Sequence, residues 1–164
     1  MHSNGILRTR TSPNVLYETL KNLSEQQKKD VEEIGLGCLL EMKLDGIPSQ
    51  MGYYVVDNFD PANMRLKLKN GSLEVSLESV HRIPGLPKEG VKIANINASI
   101  VGEDILNTWK KQYGDKRIRP THVLAKIKKD QAGGLRFKLN FLVIAMNILG
   151  LPSRVGACNF KFFG

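Results

Sequence analysis

Three histidines, His2, His81 and His122, and two cysteines, Cys38 and Cys158, are the side chains here best suited to chemistry near neutral pH. A zinc site needs ligands bunched at short spacings such as HExxH or paired CxxC, and neither pattern occurs. His81 could serve Cys38 as a general base, the arrangement that activates a thiol nucleophile. The same two residues also read as a partly buried histidine beside a small apolar cysteine. No GxxxxGK(S/T) or GxGxxG is present to cradle a phosphate, and Gly35-Leu36-Gly37 reads as a helix stop. Lys126, Lys128 and Lys129 crowd one another as a solvated face does, unlike a desolvated Schiff-base lysine. These residues predict no catalytic group, no metal site and no cofactor, and the expectation is a protein that is not an enzyme.

Charge is the stronger signal. The 164 residues carry 24 Lys and Arg against 16 Asp and Glu, a net +8 with a sequence pI near 9.6. Residues 1–100 hold twelve of each sign and cancel. Residues 101–164 hold twelve cations against four anions, so the whole excess belongs to the last third. The candidate contact residues there are Lys110, Lys111, Lys116, Arg117, Arg119, Lys126 and Lys129. Lys126 and Lys129 lie three apart on one helical face, with Lys128 off to its side. Such cations attract phosphates in a salt-dependent, sequence-independent way, or they form a solvated face that meets an acidic partner. Trp109 and Tyr113, four apart, either stack on bases or belong to the core.

The elements that would position these groups are mostly helical. Ser12-Pro13 opens a first helix with Leu16, Leu20 and Leu23 inward. Ser24 and Gln27 form a capping box for a second, which runs through Val31 and Ile34 to Gly35. The period of residues 36–44 is ambiguous. Pro48 begins a helix with Met51, Val55 and Phe59 inward and Tyr54 beside them, ended by Asp60-Pro61. Residues 64–77 alternate around Asn70-Gly71, which predicts a hairpin with a type I′ turn. Its register would pair Leu68 with Leu73, Leu66 with Val75, Met64 with Leu77, and Lys67 with Glu74. Ser76 or Ser79 would cap a short helix, and residues 91–101 are read as extended. Helices near 103–113 and 121–129 bury Ile105, Leu106, Trp109, Val123, Leu124 and Ile127. Gly133-Gly134 breaks the chain before an apolar helix from Leu135 to Leu149. The apolar stretch from Leu139 to Leu151 is thirteen residues, short of the ~20 that span a bilayer.

Several segments together resemble a known group. They are Arg10-Thr11-Ser12-Pro13, Leu23 to Lys28 with Val31 to Gly37, Tyr53 to Asp60 and, most distinctive, Val80 to Gly90. Across residues 8–93 the chain resembles the aminotransferase-like plant mobile domain proteins and the N-terminal regions of transposon-related plant SUMO-peptidase-like proteins. The resemblance implies a mainly helical, transposon-derived module, with relatives linked to transposon silencing in the nucleus. It implies no transamination, and no catalytic residue is carried over.

The expected architecture is mainly α with a small hairpin, in one domain. Residues 1–11 are a basic lead-in, 12–152 the helical module, and 153–164 an atypical apolar tail that suggests truncation. The hairpin and the motif after it are expected to pack on the N-terminal helices. With no secretion signal and no paired cysteines, a reducing compartment is expected, cytosol or nucleus, and the resemblance favours the nucleus. The function read from these features is an interaction module that contacts nucleic acid or an acidic protein through its basic last third, with no membrane and no small-molecule substrate. The alternative is the non-catalytic N-terminal portion of a plant SUMO-type cysteine peptidase.

Overall fold

The computed structural model describes residues 12–88, 103–114, 117–150, 156–158 and 160, with the backbone alone for residues 103–106. The basic lead-in, the segment 91–101, the side chains of Ile105 and Leu106, and Lys116 lie outside the described residues. Among the described residues, seven α-helices and a small antiparallel sheet follow one another in a mainly helical domain: α1 (Asn14–Lys21), α2 (Glu25–Glu33), α3 (Ser49–Asn58), β1 (Phe59–Asp60), β2 (Arg65–Leu68), β3 (Gly71–Glu74), α4 (Leu77–Arg82), α5 (Glu103–Lys111), α6 (Pro120–Lys129) and α7 (Leu135–Ala145). The ambiguous segment after α2 is a 3₁₀ turn, Gly37–Glu41, and α7 runs on into a π-helical turn, Met146–Gly150.

The helical core follows the periodicity. Leu16, Leu20 and Leu23 from α1 and its exit meet Val31 from α2, Val123 and Ile127 from α6, and Phe137, Phe141, Val143 and Ile144 from α7. Each such side chain contributes roughly 1.5–3 kcal/mol on burial. α6 packs on both α1 and α7 through its buried Val123 and Ile127, and six of its ten residues are exposed. The α2 capping box forms as spaced: Gln27 N donates to Ser24 Oγ at 3.2 Å, and Ser24 N donates to Gln27 Oε1 at 3.0 Å. The Ser76 cap of α4 closes the same way on Ser79. α1 begins one residue later than expected, with Pro13 in the cap position and without a side-chain cap bond, although Ser12 Oγ still accepts from Asn14 N at 3.3 Å.

The segment 44–83 departs from expectation. Met51, Tyr54 and Val55 are exposed, and no residue of α3 is buried. Of the fourteen exposed large apolar side chains among the described residues, twelve fall between Leu44 and Ile83. An apolar stripe at helical spacing reports amphipathicity, and nothing in the period says what covers it. The hairpin packs on α3, with the Tyr54 hydroxyl donating to Lys67 O at 2.9 Å. The motif after it does reach the helices: Leu86 is half-buried against the core and Pro87 lies beside Gly35.

The hairpin register also differs. Arg65 pairs with Glu74, Leu66 with Leu73, Lys67 with Ser72 and Leu68 with Gly71, while β1 joins the outer side through Phe59 and Leu66. The two-residue turn is therefore Lys69-Asn70. Gly71 lies beyond it at φ +148°, and Asn70 lacks the positive φ that a type I′ turn requires. Glu74 meets Arg65 at 3.7 Å in place of Lys67. A two-residue change of pairing preserves the pleat, so Leu66, Leu68 and Leu73 still share a face.

Candidate anion-binding cleft

Between the end of α5, the last turns of α6 and the start of α7 lies a cleft of about 280 Å³. Buried Ile127, Phe137 and Asn140 form its floor, and Lys126, Lys129 and Arg136 stand exposed at its mouth. Gln112 lines one side, and the loop at Asp130, Ala132 and Gly133 lines the other.

α2 builds that loop. Gln27 is fully buried, and beyond its cap it donates from Nε2 to Asp130 O at 3.0 Å and Ala132 O at 3.4 Å. Ser24 Oγ donates to Gln131 O at 2.9 Å. The buried Asp30 carboxylate accepts from Gly134 N at 2.5 Å. Gly133 needs to be glycine, because a Cβ there would run into that carboxylate and into Gln26. Gln27 and Asp30 of one short helix and Ser24 at its cap, three residues, thus hold the turn that aims α6 and α7.

Asn140, only 4% exposed, organises the floor. Its Oδ1 accepts from Trp109 Nε1 at 2.7 Å, the Tyr113 hydroxyl at 2.8 Å and Gln112 Nε2 at 3.3 Å. Indole N–H only donates, so the atom facing Trp109 is the amide oxygen. Asn140 Nδ2 is then left with no protein acceptor among the described residues. Trp109 is buried against Tyr113 at 5.1 Å and Phe160 at 5.6 Å between ring centroids, so it belongs to the core and presents no face to a base. Burial pushes the Tyr113 phenol above its ordinary range, with a smaller contribution from Cys158.

The structure sorts the cations. Lys128 points to α1 and meets Glu18 at 3.2 Å. Lys138 meets Glu33 at 2.9 Å and Asp30 at 3.9 Å, and its pKa is raised, chiefly by the hydrogen bond to Glu33. Arg136 pairs with Asp130. Lys126 and Lys129 have no carboxylate partner among the described residues and are brought together on the cleft, with Lys128 off their face. Lys110 lies over the Phe160 ring at 5.6 Å. Lys111, Arg117 and Arg119 are exposed and unpaired among the described residues. The two arginines stand before the start of α6, roughly 10 Å of helix from Lys126. The cleft, Gln112 and Asn140 were not singled out by spacing; an asparagine inside an apolar helix was the available signal.

Cys38 and His81 are not joined by a hydrogen bond. His81 Nδ1 is 2.7 Å from Leu86 O, and Cys38 lies against Gly85. Cys158 is buried, which pushes its thiol up to about 12. Cys158 and Phe160, from the atypical apolar tail, pack on the core. Among the described residues no group of His, Cys, Asp and Glu could hold a metal ion, and no helix is long and apolar enough to cross a membrane.

A family profile described as "Domain of unknown function (DUF8566)" matches residues 9–164, nearly the whole chain. No curated protein and no solved structure matches. The chain belongs to that domain family.

Proposed function

We propose that this family member is a non-enzymatic binding module that takes nucleic acid through its phosphates, with Lys126 and Lys129 as the central contacts. The observation that carries this reading is the sorting of charge on the last third. Lys128, Arg136 and Lys138 are neutralised by carboxylates. Lys126 and Lys129 stand free on a common cleft among the described residues. Unpaired cations condense on a polyanion and release its counterions, a gain that paired lysines cannot supply in full. Lys111, Arg117 and Arg119 extend the positive surface beyond the cleft. The resemblance of residues 8–93 to plant mobile domain proteins supports a nuclear, transposon-related setting for such a module.

Retention of DNA across a salt series tests the proposal. The full chain is expected to bind at low salt and to lose affinity linearly in log salt. Lys126→Ala and Lys129→Ala should each lower the slope by about 0.9 on duplex DNA. Lys128→Ala should change it less, since its charge is already met by Glu18. Absence of salt-sensitive retention at low salt would sink the reading.

A further inference from the structure

We infer that the cleft is a seat for a terminal phosphate, so that a nucleic-acid strand is gripped at a phosphorylated end. The inference rests on the nucleic-acid reading above and adds to it the chemical group that the cleft selects.

Its first support is a charge match. Arg136 and Asp130 cancel in their ion pair, which leaves Lys126 and Lys129 as the net charge of the cleft, two positive units. An internal phosphodiester carries one negative charge, whereas a phosphomonoester carries about two at pH 7, its second pKa lying near 6. The second is the free donor on the floor. Asn140 is nine-tenths buried and lines the cleft, its oxygen is taken by Trp109, Tyr113 and Gln112, and among the described residues Nδ2 has no acceptor. That N–H meets only the solvent of the cleft, so an anionic oxygen entering between the lysines would gain a charge-assisted hydrogen bond from it. The third is the lining. At about 280 Å³ the cleft has room for a phosphate with the first atoms of the strand that carries it. The floor residues Ile127 and Phe137 are buried and leave little face for a base to stack on.

A phosphorylated peptide would offer the same terminal group. Nucleic acid is favoured because Lys111, Arg117 and Arg119, unpaired among the described residues outside the cleft, need further negative charge beyond the seated phosphate. A strand carries such charge at every residue.

The test compares one single-stranded oligonucleotide in three forms, 5′-phosphorylated, 3′-phosphorylated and hydroxyl at both ends, binding to the full chain by fluorescence anisotropy. At least one phosphorylated form is expected to bind about tenfold more tightly than the hydroxyl form at pH 7.5. That advantage should shrink below pH 6, as the dianion takes up a proton. Asn140→Asp keeps an oxygen for Trp109 and Tyr113 but removes the donor and adds a negative charge to the floor, and should abolish the preference for a phosphorylated end. Because that variant alters the floor, titration of the unaltered chain with inorganic phosphate gives a second readout: the Asn140 Nδ2 amide resonances should move, and should move less with Lys126→Gln/Lys129→Gln. Equal affinity for all three forms, with salt-sensitive binding retained, overturns the seat and leaves the proposed function standing. Loss of all salt-sensitive binding overturns both. Preference for a phosphoserine peptide over every oligonucleotide overturns the assignment to nucleic acid.

Discussion

Gln27 reaches across 103 residues of chain to donate from Nε2 to the backbone carbonyl of Asp130 at 3.0 Å. The same side chain closes the cap of α2 through Oε1 and shares its amide with Ala132 O. A helix cap and a distant loop are therefore one hydrogen-bonded unit, and the loop is a wall of the cleft.

Gln27→Leu should show this. It fills the volume but removes the part-buried hydrogen bonds to Asp130 O, Ala132 O and the Ser24 N–H, each worth about 0.5–1.5 kcal/mol. A loss of about 3 kcal/mol is expected in urea unfolding. Gln26→Ala removes only a 3.4 Å contact to Asp30 from an exposed position and should cost under about 1 kcal/mol. Comparable midpoints for the two variants would contradict the bridging role.

Two glycines give opposite outcomes. Gly133→Ala forces a methyl into the Asp30 carboxylate, which is tied to Gly134 N. A loss of about 1–3 kcal/mol is expected, read as a Tm several degrees lower. Gly46 has nothing within 4 Å of a new Cβ and no positive φ, so Gly46→Ala should be neutral or stabilising by about 0.5 kcal/mol. A tolerated Gly133→Ala would mean that the loop can move off Asp30.

Alkaline pH should unfold the protein through buried acids. The Cys158 thiol is raised by burial from about 9 to about 12. Between those values the unfolded chain has lost this proton and the folded one has kept it. Stability from this group is thus complete below pH 9 and declines as pH climbs toward 12. Tyr113, also raised by burial, adds to the same trend. Cys158→Ala should flatten the decline measured by urea midpoints from pH 8 to 11. Cys38 is only partly buried and should alkylate well before Cys158.

The helices were legible where local chemistry is self-sufficient. Ser24 and Gln27 close a cap with each other, so their spacing alone announced α2. Leu16, Leu20, Val123 and Ile127 announced their buried faces because a period of 3.6 puts them on one side. Met51 and Val55 obey the same period and are exposed, since covering a stripe depends on a neighbour and not on the stripe. The hairpin shows the same limit. Its apolar face was legible from alternation, but the turn moved by one residue once Arg65, Glu74 and β1 joined the pairing. The excess charge was legible as a number, while its division into paired and free lysines was not.

The amino-acid sequence by itself determined the helical fold class, the caps of α2 and α4, the core stripes and the basic last third, because each depends on residues near one another along the chain. Tertiary structure alone decided that Lys128 is spent on Glu18, that Asn140 turns its oxygen to Trp109 and leaves its amide free, and that Lys126 and Lys129 share a cleft. The first two are contacts between residues 110 and 31 apart in the chain. Hydrogen-bond and ion-pair partners are chosen by distances in space, which no spacing along one helix contains.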